Sequence, residues 1–163
     1  MSRYPRIVRD RLYAHVVWTT RNRDNLIDAK LAEFLCRFLR AVARQERSRI
    51  LQVGLLQDHV HVLLRYHPTT RLPRLLQRMK GGSAVMAARE RRGDLLWNRG
   101  YSISSVSVGA LESVRAYVAL QESRHPERAI PLWKGDVGML DSREEWQGPD
   151  RSSTRVVTRR SVY

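Results

Sequence analysis

Residues 50–66 read ILQVGLLQDHVHVLLRY. Ile50–Leu56 and His59–Tyr66 are two apolar, β-branched runs, and only Gln57-Asp58 separates them. Runs of this length joined by two polar residues predict a β-hairpin. Side chains alternate across a strand, so His59 and His61 project from one face while Val60, Val62 and Leu64 project from the other. One strand of the hairpin thus offers an apolar face and a face bearing two imidazoles.

Working outward, Leu12–Thr19 (LYAHVVWT) reads as a first strand, followed by a polar turn over residues 20–27. Asp28 can cap a helix whose apolar positions are Leu31, Phe34, Leu35, Phe38, Leu39 and Val42. Beyond the hairpin, Pro68–Thr70 breaks the chain. A second helix follows, with Leu72, Leu75, Leu76, Met79, Val85 and Met86 on one side. Gly81-Gly82 interrupts it, as a kink or as a point of close backbone approach, and Gly93-Asp94 ends it. Tyr101–Val108 reads as a fourth strand. Leu111–Ser123 reads as a third helix with Leu111, Val114 and Val118 inward. Pro126 and Pro131 close the fold. The order β-α-β-β-α-β-α predicts an α+β protein: a ferredoxin-like βαββαβ sandwich with an added C-terminal helix, a four-stranded antiparallel sheet and helices on one face. Residues 1–133 form this domain. Residues 134–163 are rich in Gly, Ser, Asp and Arg without periodicity, and read as a flexible or loosely docked extension.

The 163 residues include 30 Lys+Arg against 16 Asp+Glu, a formal charge of +14. Lysine occurs only at Lys30, Lys80 and Lys134, so 27 of the basic residues are arginine. Residues 1–133 hold 24 basic and 11 acidic side chains, so the surplus sits on the predicted fold rather than on the extension. Arginine forks pair with phosphates and stack on bases, which points to nucleic acid ahead of a membrane surface. No apolar run approaches the roughly 18 residues of a membrane-spanning helix. No apolar signal segment follows the basic start. The single Cys36 rules out an internal disulfide and a cysteine zinc cluster. A cytoplasmic, nucleoid-associated protein is the expectation.

Two imidazoles two residues apart on a strand can hold one divalent metal, or can be two ordinary strand histidines. His15 sits in an apolar strand and is expected to satisfy a local hydrogen bond; His67 and His125 are expected to be structural or on the surface. Tyr117 and Gln121 lie four apart on the third helix, hence on one face, bordering Val114 and Val118. A tyrosine can be a covalent nucleophile and an amide oxygen a hard metal ligand; equally, the pair suits the boundary of a core.

Taken together, Asp58-His59-Val60-His61-Val62-Leu63-Leu64 and Tyr117-x-x-x-Gln121 resemble the single-tyrosine HUH transposases, which comprise the IS200-like and the REP-associated tyrosine transposases. The stretches Val16–Arg21, Leu76–Ser83, Leu96–Tyr101 and Ser105–Ser107 are similar to further family segments, and the likeness spans roughly residues 10–130. The resemblance implies an enzyme that cuts and rejoins single-stranded DNA near hairpin or palindromic elements. It implies Mg²⁺ or Mn²⁺ held by His59, His61 and Gln121, with Tyr117 as nucleophile forming a 5′-phosphotyrosine. Asp58 would orient His59, or simply serve the hairpin turn. The family includes dimers that share tyrosines and monomers that do not, so homodimer and monomer both stay open. Candidate DNA contacts are Arg21, Arg23, Arg74, Arg78 and Lys80, with Trp97 and Tyr101 as stacking partners.

A different class also fits the charge: a basic ferredoxin-like nucleic-acid-binding module without chemistry. The strands lack the aromatic pair of RNA-reading sheets, which weighs against it.

Overall fold

The structure is a computed structural model and describes residues 10–90 and 92–136. Four strands, β1 (Leu12–Thr19), β2 (Ser48–Leu55), β3 (His59–Tyr66) and β4 (Ser102–Val106), form one sheet in the order β2-β3-β1-β4. Every neighbouring pair is antiparallel. Helix α1 (Ala29–Gln45) links β1 to β2, and α2 (Leu72–Arg89) links β3 to β4. The chain continues into α3 (Leu111–Ala119) and the one-turn α4 (Gln121–Arg124). This is the ferredoxin-like arrangement with an added C-terminal helical segment. The expected extension beyond Asp136 lies outside the described residues.

Local chemistry accounts for the elements. The Asp28 carboxylate accepts the Leu31 amide at 2.8 Å and caps α1. The α1 stripe Leu31, Phe34, Leu35, Leu39 and Val42 is buried against the sheet with Leu75, Leu76 and Met79 of α2. These helices cover Ala14, Val16 and Trp18 of β1 and Val60, Val62 and Leu64 of β3. α2 runs unbroken through Gly81-Gly82, so the pair makes no kink, and close approach explains Gly82 alone, since a Cβ at Gly81 would meet nothing within 4 Å. A Cβ at Gly82 would meet Phe38 Cζ at 2.9 Å.

Helices on a single face do not describe the molecule. α3 packs on the opposite face, where Val118 joins Leu63 and Val106 in a second apolar cluster, with Tyr13, Leu51, Leu111 and Val114 around it. Leu63 shares its face with His59 and His61, so α3 roofs the histidine side of the sheet. Two further boundaries differ. β4 is shorter than Tyr101–Val108, because Ser107 begins a 3-10 turn with its hydroxyl accepting the Ala110 amide at 3.3 Å. The third helix breaks at Leu120 (φ −97°, ψ 15°), so Tyr117 and Gln121 lie on either side of the break.

A β-bulge falls between Ile50 and Gln52. Ile50 pairs with Leu64 on the helix face, yet Gln52 pairs with Leu63 and Gly54 with His61 on the other. Without the extra residue, strand parity would put Gly54 on the α1/α2 side. Just past the bulge the Asp136 carboxylate accepts the Val53 amide at 3.0 Å and pairs with Arg40 at 2.6 and 2.9 Å. A free amide on the edge strand is thereby satisfied.

Candidate active site

β3 presents His59 and His61 beneath α3 and α4, with ring centroids 5.1 Å apart. Each imidazole is buried, and each has one ring nitrogen engaged. His59 Nδ1 lies 2.6 Å from Asp58 Oδ1. Asp58 is fully buried, and Arg23 Nε donates to its other oxygen at 3.1 Å while Arg128 approaches to 3.7 Å. Burial alone would raise the Asp58 carboxyl; its hydrogen bonds and charges with His59 and Arg23 outweigh that and hold it below the ordinary value. Asn22 and Arg23 both have φ of 55°, the left-handed region that non-glycine residues seldom adopt, and this turn carries Arg23 to Asp58.

His61 Nδ1 lies 3.0 Å from His15 Nε2, with the ring centroids 5.2 Å apart and 17° between the ring planes. Burial lowers His15, and burial also lowers His59 although Asp58 partly offsets it. Burial, reinforced by the neighbouring His59, His15 and His125, pushes His61 down to about 3. Neutral imidazole is the form that binds a metal.

α3 brings the Tyr117 ring to 5.9 Å from both His61 and His15, edge-on to each. Tyr117 is 36% exposed, open enough to meet a substrate from solvent. The Arg124 guanidinium sits 4.8 Å over the tyrosine face, a cation–π contact that restrains it. Across the helix break, Gln121 Nε2 donates to the Tyr117 carbonyl at 2.9 Å. Once the amide nitrogen is used this way, Oε1 must point elsewhere, and it is buried without a hydrogen-bond partner. A buried acceptor left unpaired costs about 1–3 kcal/mol; Gln121 Oε1, like the neighbouring Glu122 Oε1, is open to a cation or a water. The donor set on this face is therefore two imidazoles with free Nε2 atoms and one amide oxygen, which suits a small hard cation in an open site. Among the described residues no group of three or more His, Cys, Asp or Glu forms a metal cluster.

Gly54 makes the roof possible. A Cβ there would lie 2.4 Å from the Val118 carbonyl oxygen and 3.1 Å from Gln121 Cγ. Only glycine lets the helical segment settle on β2 directly opposite His61. Gly54 was not singled out in the sequence, and only the bulge at Leu51 reveals its face. His15 and His125 also belong here; the His125 ring is 6.0 Å from that of His59.

The remaining candidates are dispersed. Arg21 is exposed beside the site turn. Arg74 and Arg78 pair with Glu46 at 3.3 and 2.7 Å, at the seam of α1 and α2 that covers the other face. Lys80 is buried and donates to the Arg99 and Gly100 carbonyls at 3.0 and 2.8 Å. Trp97 donates to Ser83 Oγ at 2.9 Å and packs edge-on against Trp18. Tyr101 is exposed, 5.9 Å from the Lys80 ammonium.

A ferredoxin-like sheet carrying this histidine–tyrosine face is matched over residues 8–121 by the family of IS200-like transposases, and the chain belongs to that family. It is thereby a DNA transposase, of a class that cleaves and joins DNA. The chain is 28% identical over 118 residues to ISDra2 transposase TnpA of Deinococcus radiodurans, covering 68% of this chain and 82% of that protein. The crystal structure of a candidate transposase from Deinococcus radiodurans superposes with a TM-score of 0.57 at 24% identity, over 79% of this chain and 99% of that one. A REP-associated tyrosine transposase bound to a REP hairpin superposes at 0.58 and 14% identity, over 77% and 74%. These two likenesses bear on the fold. Among the described residues no helix is long and apolar enough to cross a membrane.

Proposed function

We propose that this transposase nicks and rejoins single-stranded DNA beside hairpin or palindromic elements, through a 5′-phosphotyrosine on Tyr117. The observation that carries the proposal is convergence within one chain: His59, His61, the orphaned Gln121 Oε1 and the Tyr117 ring share one face. The REP hairpin on a structural relative supports the substrate class.

Mg²⁺ or Mn²⁺ fits the donor set, held by His59, His61 and Gln121. When bound, the cation polarises the scissile phosphate and neutralises its oxygens. Asp58 fixes the His59 tautomer, leaving Nε2 as the free lone pair. Tyr117 Oη attacks phosphorus and a P–Oη bond forms as the P–O3′ bond breaks. The phenol loses its proton, and the departing O3′ takes one up as a hydroxyl. Rejoining reverses these events: a 3′-hydroxyl attacks the phosphotyrosine and the phenol regains its proton. One phosphoester replaces another, so no nucleotide triphosphate is required. Arg124 restrains the phenol ring, and the exposed Arg21, the half-engaged Arg23 and Tyr101 are proposed to meet the DNA strand. The protein is expected to act in the cytoplasm, where its substrate lies.

The test is incubation with labelled single-stranded hairpin DNA and Mn²⁺, followed by a denaturing gel. A covalent adduct that EDTA prevents and that Tyr117→Phe abolishes is the expected result. Adduct surviving in Tyr117→Phe overturns the nucleophile. Binding without adduct, across hairpins drawn from the flanking genome, favours the non-catalytic nucleic-acid-binding module.

A further inference from the structure

His61 needs its Nε2 lone pair if it is to bind a cation, so its ring proton must reside on Nδ1. A proton on Nδ1 requires an acceptor. The atom facing it, at 3.0 Å, is Nε2 of His15. For this bond to run from His61 to His15, His15 must carry its own proton on Nδ1 and offer Nε2 as the acceptor. The reverse assignment, with His15 Nε2–H donating, would put the His61 proton on Nε2 and block the metal-facing atom. We propose that His15 is a positioning residue that selects the metal-competent tautomer and ring plane of His61. This rests on the metal assignment made above.

Three features carry the assignment beyond the hydrogen bond. First, β1 is the central partner of β3, and pairing sets Val17 opposite His61 and Leu63 opposite His15. His15 therefore reaches His61 diagonally along the same sheet face, within reach of a long side chain. Second, the ring planes are nearly parallel, 17° apart with centroids 5.2 Å apart, so His15 restrains His61 in tilt as well as in tautomer. Third, the Tyr117 ring stands edge-on to both, 5.9 Å from each. The two metal-facing histidines thus have unlike supports: a buried carboxylate behind His59 and an imidazole behind His61. A carboxylate would add a second negative charge to this face; an imidazole accepts the proton without one.

The experiment uses the full chain and two readouts. In the metal-free wild type, nitrogen-15 correlation spectra of the imidazoles are expected to assign His61 a protonated Nδ1 and a bare Nε2. A His61 protonated on Nε2 overturns the proposal, and this arm needs no variant. Mn²⁺ affinity is then measured by electron paramagnetic resonance for wild type, His15→Leu and His15→Gln, with thermal midpoints recorded alongside. Support is a loss of roughly 10–100-fold in affinity for His15→Leu, largely recovered in His15→Gln, whose amide oxygen can accept the same proton. Equal affinity in a folded His15→Leu overturns His15's part while leaving the metal assignment standing. A wild type that binds no Mn²⁺ overturns the metal assignment itself, and this proposal with it.

Discussion

The two faces of the sheet are built from alternate residues of the same strands, yet they are unlike. On the α1/α2 side, Val16, Trp18, Val60, Val62 and Leu64 are buried and apolar. On the α3 side, His59, His61, Asp58 and Gln121 are almost as completely buried but polar. Burial of hydrocarbon stabilises at about 25 cal/mol per Å² with little regard to direction. Burial of polar groups stabilises nothing unless each finds its bond. The first face is therefore a foundation that tolerates repacking, while the second adds, beside its smaller Leu63–Val106–Val118 cluster, a set of committed orientations. Gln121 Oε1 is one buried polar atom on that second face that has no hydrogen-bond partner.

The comparison can be broken at either face. The largest effect expected is on chemistry alone: Tyr117→Phe lowers covalent adduct by at least about a thousandfold and leaves the unfolding midpoint unchanged, checked by gel and by calorimetry. Leu64→Ala, on the apolar face, costs about 2–5 kcal/mol of stability, read by urea unfolding, while Mn²⁺ affinity per folded molecule stays near wild type. Gly54→Ala affects both properties. The Cβ displaces the Val118 carbonyl, so about 1–3 kcal/mol is lost and Mn²⁺ affinity falls because Gln121 moves with it. A Gly54→Ala protein with wild-type affinity would show that the roof can shift without disturbing the ligand set.

A gentler probe is pH. His61 has a folded pKa of about 3 against an ordinary 6.5, so between those values the unfolded chain holds more protons than the native one. Stability from this group is complete above about pH 6.5 and declines as pH falls toward 3. Asp58, also held low, adds to the loss at the acid end. His61→Gln flattens the slope of unfolding free energy between pH 6.5 and 4, and Val62→Ala does not. The smallest change is expected at the helix seam, where Arg74→Ala alters stability by no more than about 0.5 kcal/mol, since exposed ion pairs contribute little.

Much of this was legible in the residues because it is local. The bounds of β1 and β3, the Asp28 cap and the α1 stripe follow from alternation and helical spacing within a few residues of each other. The ferredoxin-like order followed from the sequence of elements. What was not legible depends on three-dimensional path. An amphipathic α3 declares an apolar side but not which face of the sheet receives it. The run ILQVGLL gives no sign that Leu51 is bulged, and hence that Gly54 faces His61. His15 looked like an ordinary strand histidine because its link to His61 spans 46 residues and depends on the β1–β3 register. The Arg74, Arg78 and Lys80 charges pointed to DNA by type, whereas their neighbours Glu46 and the Arg99 and Gly100 carbonyls are set by tertiary packing.

The 5.9 Å between the Tyr117 and His61 rings is spanned inside a single polypeptide. Were Tyr117 to serve the histidines of its own chain, turnover would scale in simple proportion to the amount of enzyme. The rate per molecule would then hold steady as a preparation is diluted, and mixing it with a tyrosine-less variant would neither rescue nor poison it.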